Sequence, residues 1–390
     1  MRKGWKETTL GEVAKCAGGS SFPIEHQNGR TGIPFIKVSD LNTPGNDREI
    51  TSALNYITSE LAAELGVRVW PIDTVVFPKV GAALLTDKRR ILTQDTIFDN
   101  NLLGLVGNHE IYPRFLLLFM ETIRMSDFAQ MGALPSVSHG IIEKLCILLP
   151  PLTEQRRIVD VIGSVDAYVA ALERYANAAR TARAALLHEL LTTNTQGWKE
   201  TTLGEVADFI NGYPFKPNDL GDEGIPVIRI KQLLDVGEPV DRTNVLVPLR
   251  CQLRDGDLVF SWSGTLAIRS WNRGPAYLNQ HLFRVVEREG VQRSWLALCI
   301  DNAIGELSEK SHGTTMKHIT KKTLLPHAVD LPPLAEQRRI VDVIGAVDGA
   351  IAGADRAAED ARNLRSGLLS DLLSGDHGIP EAYDELLESA

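Results

Sequence analysis

The sequence predicts an α+β chain: two mixed α/β inserts separated by a pair of long antiparallel coiled-coil helices, the whole related by a pseudo-twofold internal repeat. Three observations predict it. The stretch GWKETTLGEVA at residues 4–14 returns unchanged at 197–207. The stretch PPLTEQRRIVDVIGSVD at 150–166 returns as PPLAEQRRIVDVIGAVD at 332–348, with two substitutions. After each second echo, apolar residues recur at alternating spacings of three and four, the coiled-coil pattern. The echoes are offset by 193 and by 182 residues, so the segment between them is eleven residues shorter in the second copy. Two units of this size are not a solenoid, which stacks many short repeats.

Taken in order, residues 1–149 form a first insert, 150–196 a central long helix and linker, 197–331 a second insert, and 332–390 a distal long helix and an acidic tail. In the first insert IPFIKVSDL, DTVVFPKV and NNLLGLVG read as strands of alternating or continuous apolar character, and YPRFLLLFMETIRM as a helix. The second insert repeats that order with IPVIRIKQL, DGDLVFSW and NQHLFRVV, then RSWLALCIDNAIGEL as an amphipathic helix. Gly81 and Gly264, aligned in the two copies, fit backbone turns. Most other insert positions disagree, so identical frames hold dissimilar contents.

The first helical stripe runs Ile158, Ile162, Val165, Val169 and Leu172, then Ala176, Ala179, Arg183, Leu186 and Leu190. The second runs Ile340, Ile344, Val347 and Ile351, then Ala354, Ala358, Ala361, Arg365, Leu368 and Leu372. At about 1.5 Å per residue each helix is roughly 50 Å long. Paired parallel and in register, Arg183 would meet Arg365 and alanine layers would meet alanine layers. Turned antiparallel, large residues face small ones and each arginine lies beside a valine. The antiparallel pair therefore serves as a rigid spacer with one insert at either end.

Composition narrows the class. The net charge of −9 argues against a simple nucleic-acid binder, because phosphate neutralisation supplies most non-specific affinity. Its distribution matters more: each insert carries −1, the central segment is neutral, and residues 332–390 carry −7. Either insert is free to present a basic face. No apolar run approaches the roughly 18 residues of a membrane span, and the first residues lack the apolar stretch of a signal peptide, so a cytoplasmic protein is expected. Cys16, Cys146, Cys251 and Cys299 show no paired spacing and read as reduced and mostly buried.

The order of a W....LGEVA frame, a variable insert ending in LPPL.EQRRI, a long helix, and then all of it again resembles the specificity subunit of Type I restriction-modification systems. The resemblance covers essentially the whole chain. It implies that each insert is a target recognition domain reading one half of a split sequence in double-stranded DNA. It implies that the paired helices set the gap between the halves and dock two methyltransferase (M) subunits, which restriction (R) subunits join. The chain itself is then not an enzyme and binds no cofactor; S-adenosylmethionine belongs to the partner methyltransferase, and ATP and Mg to the restriction subunit. A bipartite asymmetric site needs two dissimilar readers on a common frame, and duplication with divergence of the inserts supplies them.

Base edges in the major groove are read by Arg, Lys, Asn, Gln, Ser and Thr, whereas phosphate contacts mainly position the protein. The candidate readers are Lys37 and Ser39 with their counterparts Arg229 and Lys231, then Lys79 opposite Trp262 and Ser263, then Thr314, Thr315, Lys317 and His318 in HGTTMKHITKK. Trp262 suits either a stacking contact with DNA or a half-buried place in the core. His281 reads as a hydrogen-bonded structural histidine. No catalytic or metal-binding residue is assigned: there is no glycine-rich fingerprint for a methyl donor, no P-loop lysine, and HGIIEKL lacks the spacing of a zinc protease pair. A scaffold whose inserts bind protein instead of DNA is the competing reading, and a methyltransferase gene next door discriminates against it.

Overall fold

The computed structural model describes residues 4–130, 132, 134–309, 318–380 and 382–384. The chain divides into two compact units, one made of Met1–Ala171 with Ala357–Ala390, the other of Leu172–Arg356. Both long helices are unbroken, Leu152–Thr192 and Leu334–Ser374, and the division falls within them. Each unit thus contains an insert, the start of one helix and the end of the other, which is the antiparallel arrangement. The helices are part of each unit's core rather than segments apart from it.

In the first unit the frame strand Lys6–Thr9 pairs antiparallel with Cys146–Leu149, the strand that leads into the first long helix. In the second, Lys199–Thr202 pairs with Ala328–Leu331 in the same register. The two echoes of each copy, far apart in sequence, therefore meet in space. Behind them the first insert has a five-stranded sheet in the order Ala14–Gly18, Leu102–Gly107, Val75–Pro78, Arg90–Leu92, Glu49–Ile50, and a three-stranded sheet in the order Tyr56–Ile57, Ile33–Ile36, Ile97–Phe98. The second insert has two four-stranded sheets, Ala207–Asn211, Leu282–Glu287, Leu258–Ser261, Ala267–Ser270 and Arg242–Thr243, Ile225–Ile228, Ala276–Leu278, Gln252–Leu253. One parallel pairing recurs in both, Phe35 against Ile97 and Val227 against Tyr277. The helices Pro113–Thr122 and Arg293–Glu309 close the cores with Phe115, Leu116 and Met120 in one and Trp295, Leu296 and Ile300 in the other.

The predicted strands IPFIKVSDL and IPVIRIKQL stop early, at Ile36 and Ile228, and a short helical turn follows each. The cause is local. Asp40 accepts the backbone N–H of Lys37 at 2.9 Å, and Gln232 accepts that of Arg229 at 3.2 Å, which turns the chain out of the sheet.

Along the long helices Ile158, Ile162, Val169, Ile340, Ile344 and Ile351 are buried, while Val165, Leu172 and Val347 are half-buried. Toward the C-terminus of the first helix the stripe shifts by one residue, Leu187 and Leu191 being buried where Leu186 and Leu190 are half-buried; in the second Leu369 is buried beside half-buried Leu368, while Leu372 is buried as expected. An α-helix drifts about 20° per heptad from a strict seven-residue repeat. These ends also turn to the frame cores, Leu187 and Leu191 joining Leu203 and Trp295, Leu369 and Leu372 joining Trp5 and Leu10. The seam arginines do not rest beside valines alone. Arg365 is ion-paired with Asp166 and, at 2.7 Å, with Glu121, while Arg183 is paired with Asp348 at 2.5 Å and Asp301 at 3.2 Å. Asp166 and Asp348 are equivalent residues of the echoes, so each copy's arginine takes the other copy's aspartate.

Among the described residues no helix is long and apolar enough to cross a membrane. Cys16, Cys251 and Cys299 are buried and Cys146 is exposed; burial pushes the thiols of Cys16 and Cys299 up to about 12, which leaves them unreactive.

Candidate nucleic-acid interface

Each insert is fastened to its frame by the same glutamine. Gln155 is fully buried, its Oε1 accepting the Tyr112 N–H at 2.6 Å and its Nε2 donating to the carbonyls of Glu110 and Pro150 at 2.9 and 2.8 Å. Gln337 does the same with the Gln292 N–H at 2.7 Å and the carbonyls of Gly290 and Pro332 at 3.0 and 2.8 Å. The hydroxyls of Thr8 and Thr201 donate to Glu12 and Glu205, and Trp5 Nε1 donates to Glu154 at 2.9 Å. The hydrogen bond from Thr8 holds the Glu12 carboxyl below its ordinary range, as that from Thr201 does for Glu205. The glutamine and threonine bonds recur in both copies and are what those repeated letters encode, whereas in the second copy Glu336 is held by Arg339 at 2.6 Å.

On this frame three loops converge in both inserts. Strand Val75–Pro78 runs into Lys79, Val80 and Gly81, and Leu258–Ser261 into Trp262, Ser263 and Gly264. The two glycines have φ of +75° and +66°, the left-handed turn that a side chain disfavours. A second segment lies against the first: Val137 N–H donates to the Lys79 carbonyl and Ile319 N–H to the Trp262 carbonyl, both at 2.9 Å. The third is a tight turn, in which Asp99 accepts the Asn101 N–H at 3.0 Å and Asn279 accepts the His281 N–H at 3.3 Å. Burial raises the Asp99 carboxyl above its ordinary range against the opposing hydrogen bonds from Asn101.

The side chains on this shared scaffold differ. The first insert has an open crevice lined by Gly18, Lys79, Asn101, Ser136, Ser138 and His139. At the corresponding place in the second stands Trp262, with ring centroids 5.7 Å from Phe283, 5.7 Å from His281 and 6.0 Å from His318. Among the described residues its Nε1 and His318 Nδ1 are buried without a hydrogen-bond partner. Such an atom costs about 1–3 kcal/mol in the free protein, the kind of group a ligand satisfies.

Of the residues picked from sequence, Ser39, Arg229 and Lys231 are exposed at helical turns, and Lys79, Trp262 and His318 are half-buried in the three-loop set. Lys37 is engaged with the protein, its ammonium bonded to Gln27 and lying 5.4 Å from the Phe22 ring. Arg229 pairs with Asp241 at 3.0 Å. Ser263 is only 6% exposed and bridges to His318 through its backbone. Thr314, Thr315 and Lys317 lie outside the described residues. His281, expected as structural, is exposed. Asn100, Asn101 and Gln280 are exposed on the third turn but were not picked from sequence; the available signal was their place beside the aligned Asp99 and Asn279. Among the described residues no group of three or more His, Cys, Asp or Glu side chains is placed to hold a metal ion.

A doubled frame carrying two unlike loop sets defines a repeated recognition module. Sequence comparison agrees: the family described as the Type I restriction modification DNA specificity domain matches residues 2–179 and 195–356. The chain belongs to that family and carries its domain twice. It is similar to the Type I restriction enzyme EcoBI specificity subunit of Escherichia coli, 24% identical over 201 residues, which span 48% of this chain and 42% of that protein. It is also similar to the MjaVIII specificity subunit of Methanocaldococcus jannaschii, 23% identical over 300 residues, 68% of this chain and 70% of the relative. Among solved structures, a chain from a study of complex assembly and conformational transition in the type I R-M system matches with a TM-score of 0.65 at 22% identity, over 97% of this chain and 99% of that one. The HsdS subunit from Thermoanaerobacter tengcongensis matches with 0.51 at 22%, over 97% and 98%. At these identities the likeness is one of fold.

Proposed function

We propose that this chain is the sequence-reading subunit of a Type I restriction-modification complex, each insert reading one half of a bipartite asymmetric target in double-stranded DNA. Two adenine methyltransferase subunits dock on the repeated frame, restriction subunits join through them, and the paired helices set the gap between half-sites. The chain is not itself catalytic and holds no cofactor: S-adenosylmethionine serves the methyltransferase, ATP and Mg the restriction subunit. The observation that carries this reading is the conjunction of one fastened frame, written twice, with two loop sets that share backbone bonds and differ in side chains. Identical frames suit identical partners, and unlike loops suit unlike half-sites.

The test is to express the chain with its partner methyltransferase in a host free of adenine methylation and map methylated adenines across the genome. The expected result is one split motif, absent when either chain is left out. Methyl transfer by the pure chain alone sinks the reading. A heptad added to each helix, after Leu172 and Ala354, is expected to lengthen the preferred gap by up to roughly three base pairs, since seven residues add about 10 Å and DNA rises about 3.4 Å per base pair.

A further inference from the structure

We infer that the turn following the parallel strand of each insert is its base-reading element, with Asn100 and Asn101 serving one half-site and Gln280 and His281 the other. The inference rests on the proposed function and names the contacts it leaves open. The turns are built alike. Asp99 and Asn279 are buried, 8% and 6% exposed, and each accepts the N–H two residues on. The carbonyl of each also accepts an N–H, from Leu102 at 3.1 Å and from Leu282 at 3.0 Å. The anchor points inward, and the two residues that follow it are exposed in both copies.

What the turn offers is chemistry suited to base edges. Asn100 and Gln280 are carboxamides, which donate and accept at once and so match the N7 and N6 of adenine in the major groove. Among the described residues Asn100 has no side-chain partner, and the contact of Gln280 is with its neighbour His281 at 3.4 Å. Asn101 Nδ2 makes a long contact with Asp99 at 3.3 Å. A rigid backbone presenting side chains so lightly held is the arrangement that specific recognition requires, because little ordering is left for the complex to impose.

The surroundings supply the rest of a DNA contact. Lys79 donates its N–H to the Asn101 carbonyl at 2.9 Å, and both residues line one crevice. In the second insert His281 opens on a groove bordered by Lys231, by Glu238 and by Arg229 with its partner Asp241. Cations beside carboxamides are what phosphate positioning beside base readout looks like. Trp262, whose Nε1 has no partner among the described residues, lies against the His281 ring. The turns differ between the copies at the two outward positions while their anchors differ only as aspartate and asparagine, so divergence has fallen where readout takes place.

The test uses the complete complex with its methyltransferase partner and genome-wide methylation mapping, comparing wild type with Asn100→Ala/Asn101→Ala, with Gln280→Ala, and with the exchange Asn100→Gln/Asn101→His. Each alanine variant is expected to relax one base position in one half-site, by roughly 5- to 150-fold in discrimination, the 1–3 kcal/mol of a bidentate pair. The two are expected to act on opposite halves. The exchange is expected to change the preferred base in the same half as the Asn100 and Asn101 variant, which a merely damaged turn does not do. Unchanged half-sites at full activity overturn the inference, and so does a uniform fall in methylation with both half-sites intact, since that marks a phosphate contact or a structural role. If the wild-type complex methylates no bipartite motif, it is the proposed function that fails.

Discussion

Gln155 and Gln337 make the same three hydrogen bonds in the two copies, whereas Lys79 and Trp262, at the ends of equivalent strands, share only the backbone bond that each carbonyl accepts from the second segment. The difference is one of obligation. A buried glutamine that satisfies one N–H and two carbonyls cannot be exchanged without orphaning three backbone groups. A side chain at a loop tip answers only to what it meets outside. Between these extremes lies the packing under each insert. In the first copy Phe115, Phe119, Leu145 and Leu148 occupy positions held in the second by Trp295, Cys299, His327 and Asp330, and there a cavity lined also by His188 and Glu306 remains. The cores have diverged in polarity while the clasp above them has not.

The largest effect is expected at the clasp. Replacing Gln155 or Gln337 by alanine leaves an N–H and two carbonyls unpaired in a buried setting, at about 3–5 kcal/mol to the unit concerned. The expected loss is the same in both copies to within about 1 kcal/mol, read by denaturant unfolding with a tryptophan probe for each unit. A large loss in one unit with a small one in the other breaks the claim that the two frames are energetically equivalent.

A smaller and unequal pair of effects is expected at the helix seam. Burial works against the Arg365 guanidinium, but hydrogen bonds to Asp166 and Glu121 outweigh it and raise its pKa; the bond to Asp348 leads in raising that of Arg183. In the first unit Arg48 is paired with Glu121 at 3.2 Å and also with Asp166, so both carboxylates keep a cation when Arg365 is removed. In the second, among the described residues, Asp348 and Asp301 are paired with Arg183 alone. Arg365→Ala is therefore expected to cost under about 1 kcal/mol and Arg183→Ala about 1–2, since these pairs are part-exposed and screened. Equal losses, or a larger one at Arg365, remove Arg48 from its place as a substitute cation.

Much of this architecture is legible in the sequence because duplication acts as an internal control. Letters that recur, such as Trp5, Glu12 and Gln155, are those with buried partners, and the apolar period of three and four gives both helices and their direction. The ends of the stripe are not legible, because Leu187 and Leu369 turn to cores formed by distant segments rather than to the other helix. The ion pairs of Arg183 and Arg365 are also hidden: an arginine on an apolar stripe says that its charge needs a partner but not that Asp348 or Asp166 supplies it. At the interface, basic residue type pointed to Lys37, which is occupied by Gln27 and Phe22, and passed over Asn100 and Gln280, whose exposure follows from an anchor visible only in three dimensions.

The smallest effect concerns that anchor, where nature has already made the comparison: Asp99 in one copy stands against Asn279 in the other. Burial is the leading cause that raises the Asp99 carboxyl, so the folded protein holds this proton more tightly than the unfolded chain. The contribution to stability is then fullest below the unfolded value of about 3.9 and is lost as pH rises through the raised folded value. Asp99→Asn removes that loss, because an amide oxygen still accepts the Asn101 N–H and no charge is buried. It gives up the longer contact from Asn101 Nδ2 at 3.3 Å and the attraction of Lys37, so the net gain at pH 7 is expected to be under about 1 kcal/mol. The signature is its pH dependence: the advantage of the variant disappears at pH 3, where the wild-type carboxyl is neutral too. A variant less stable than wild type at pH 7 and not at pH 3 shows instead that the first turn needs its charge, and that the two anchors, though placed alike, are not interchangeable.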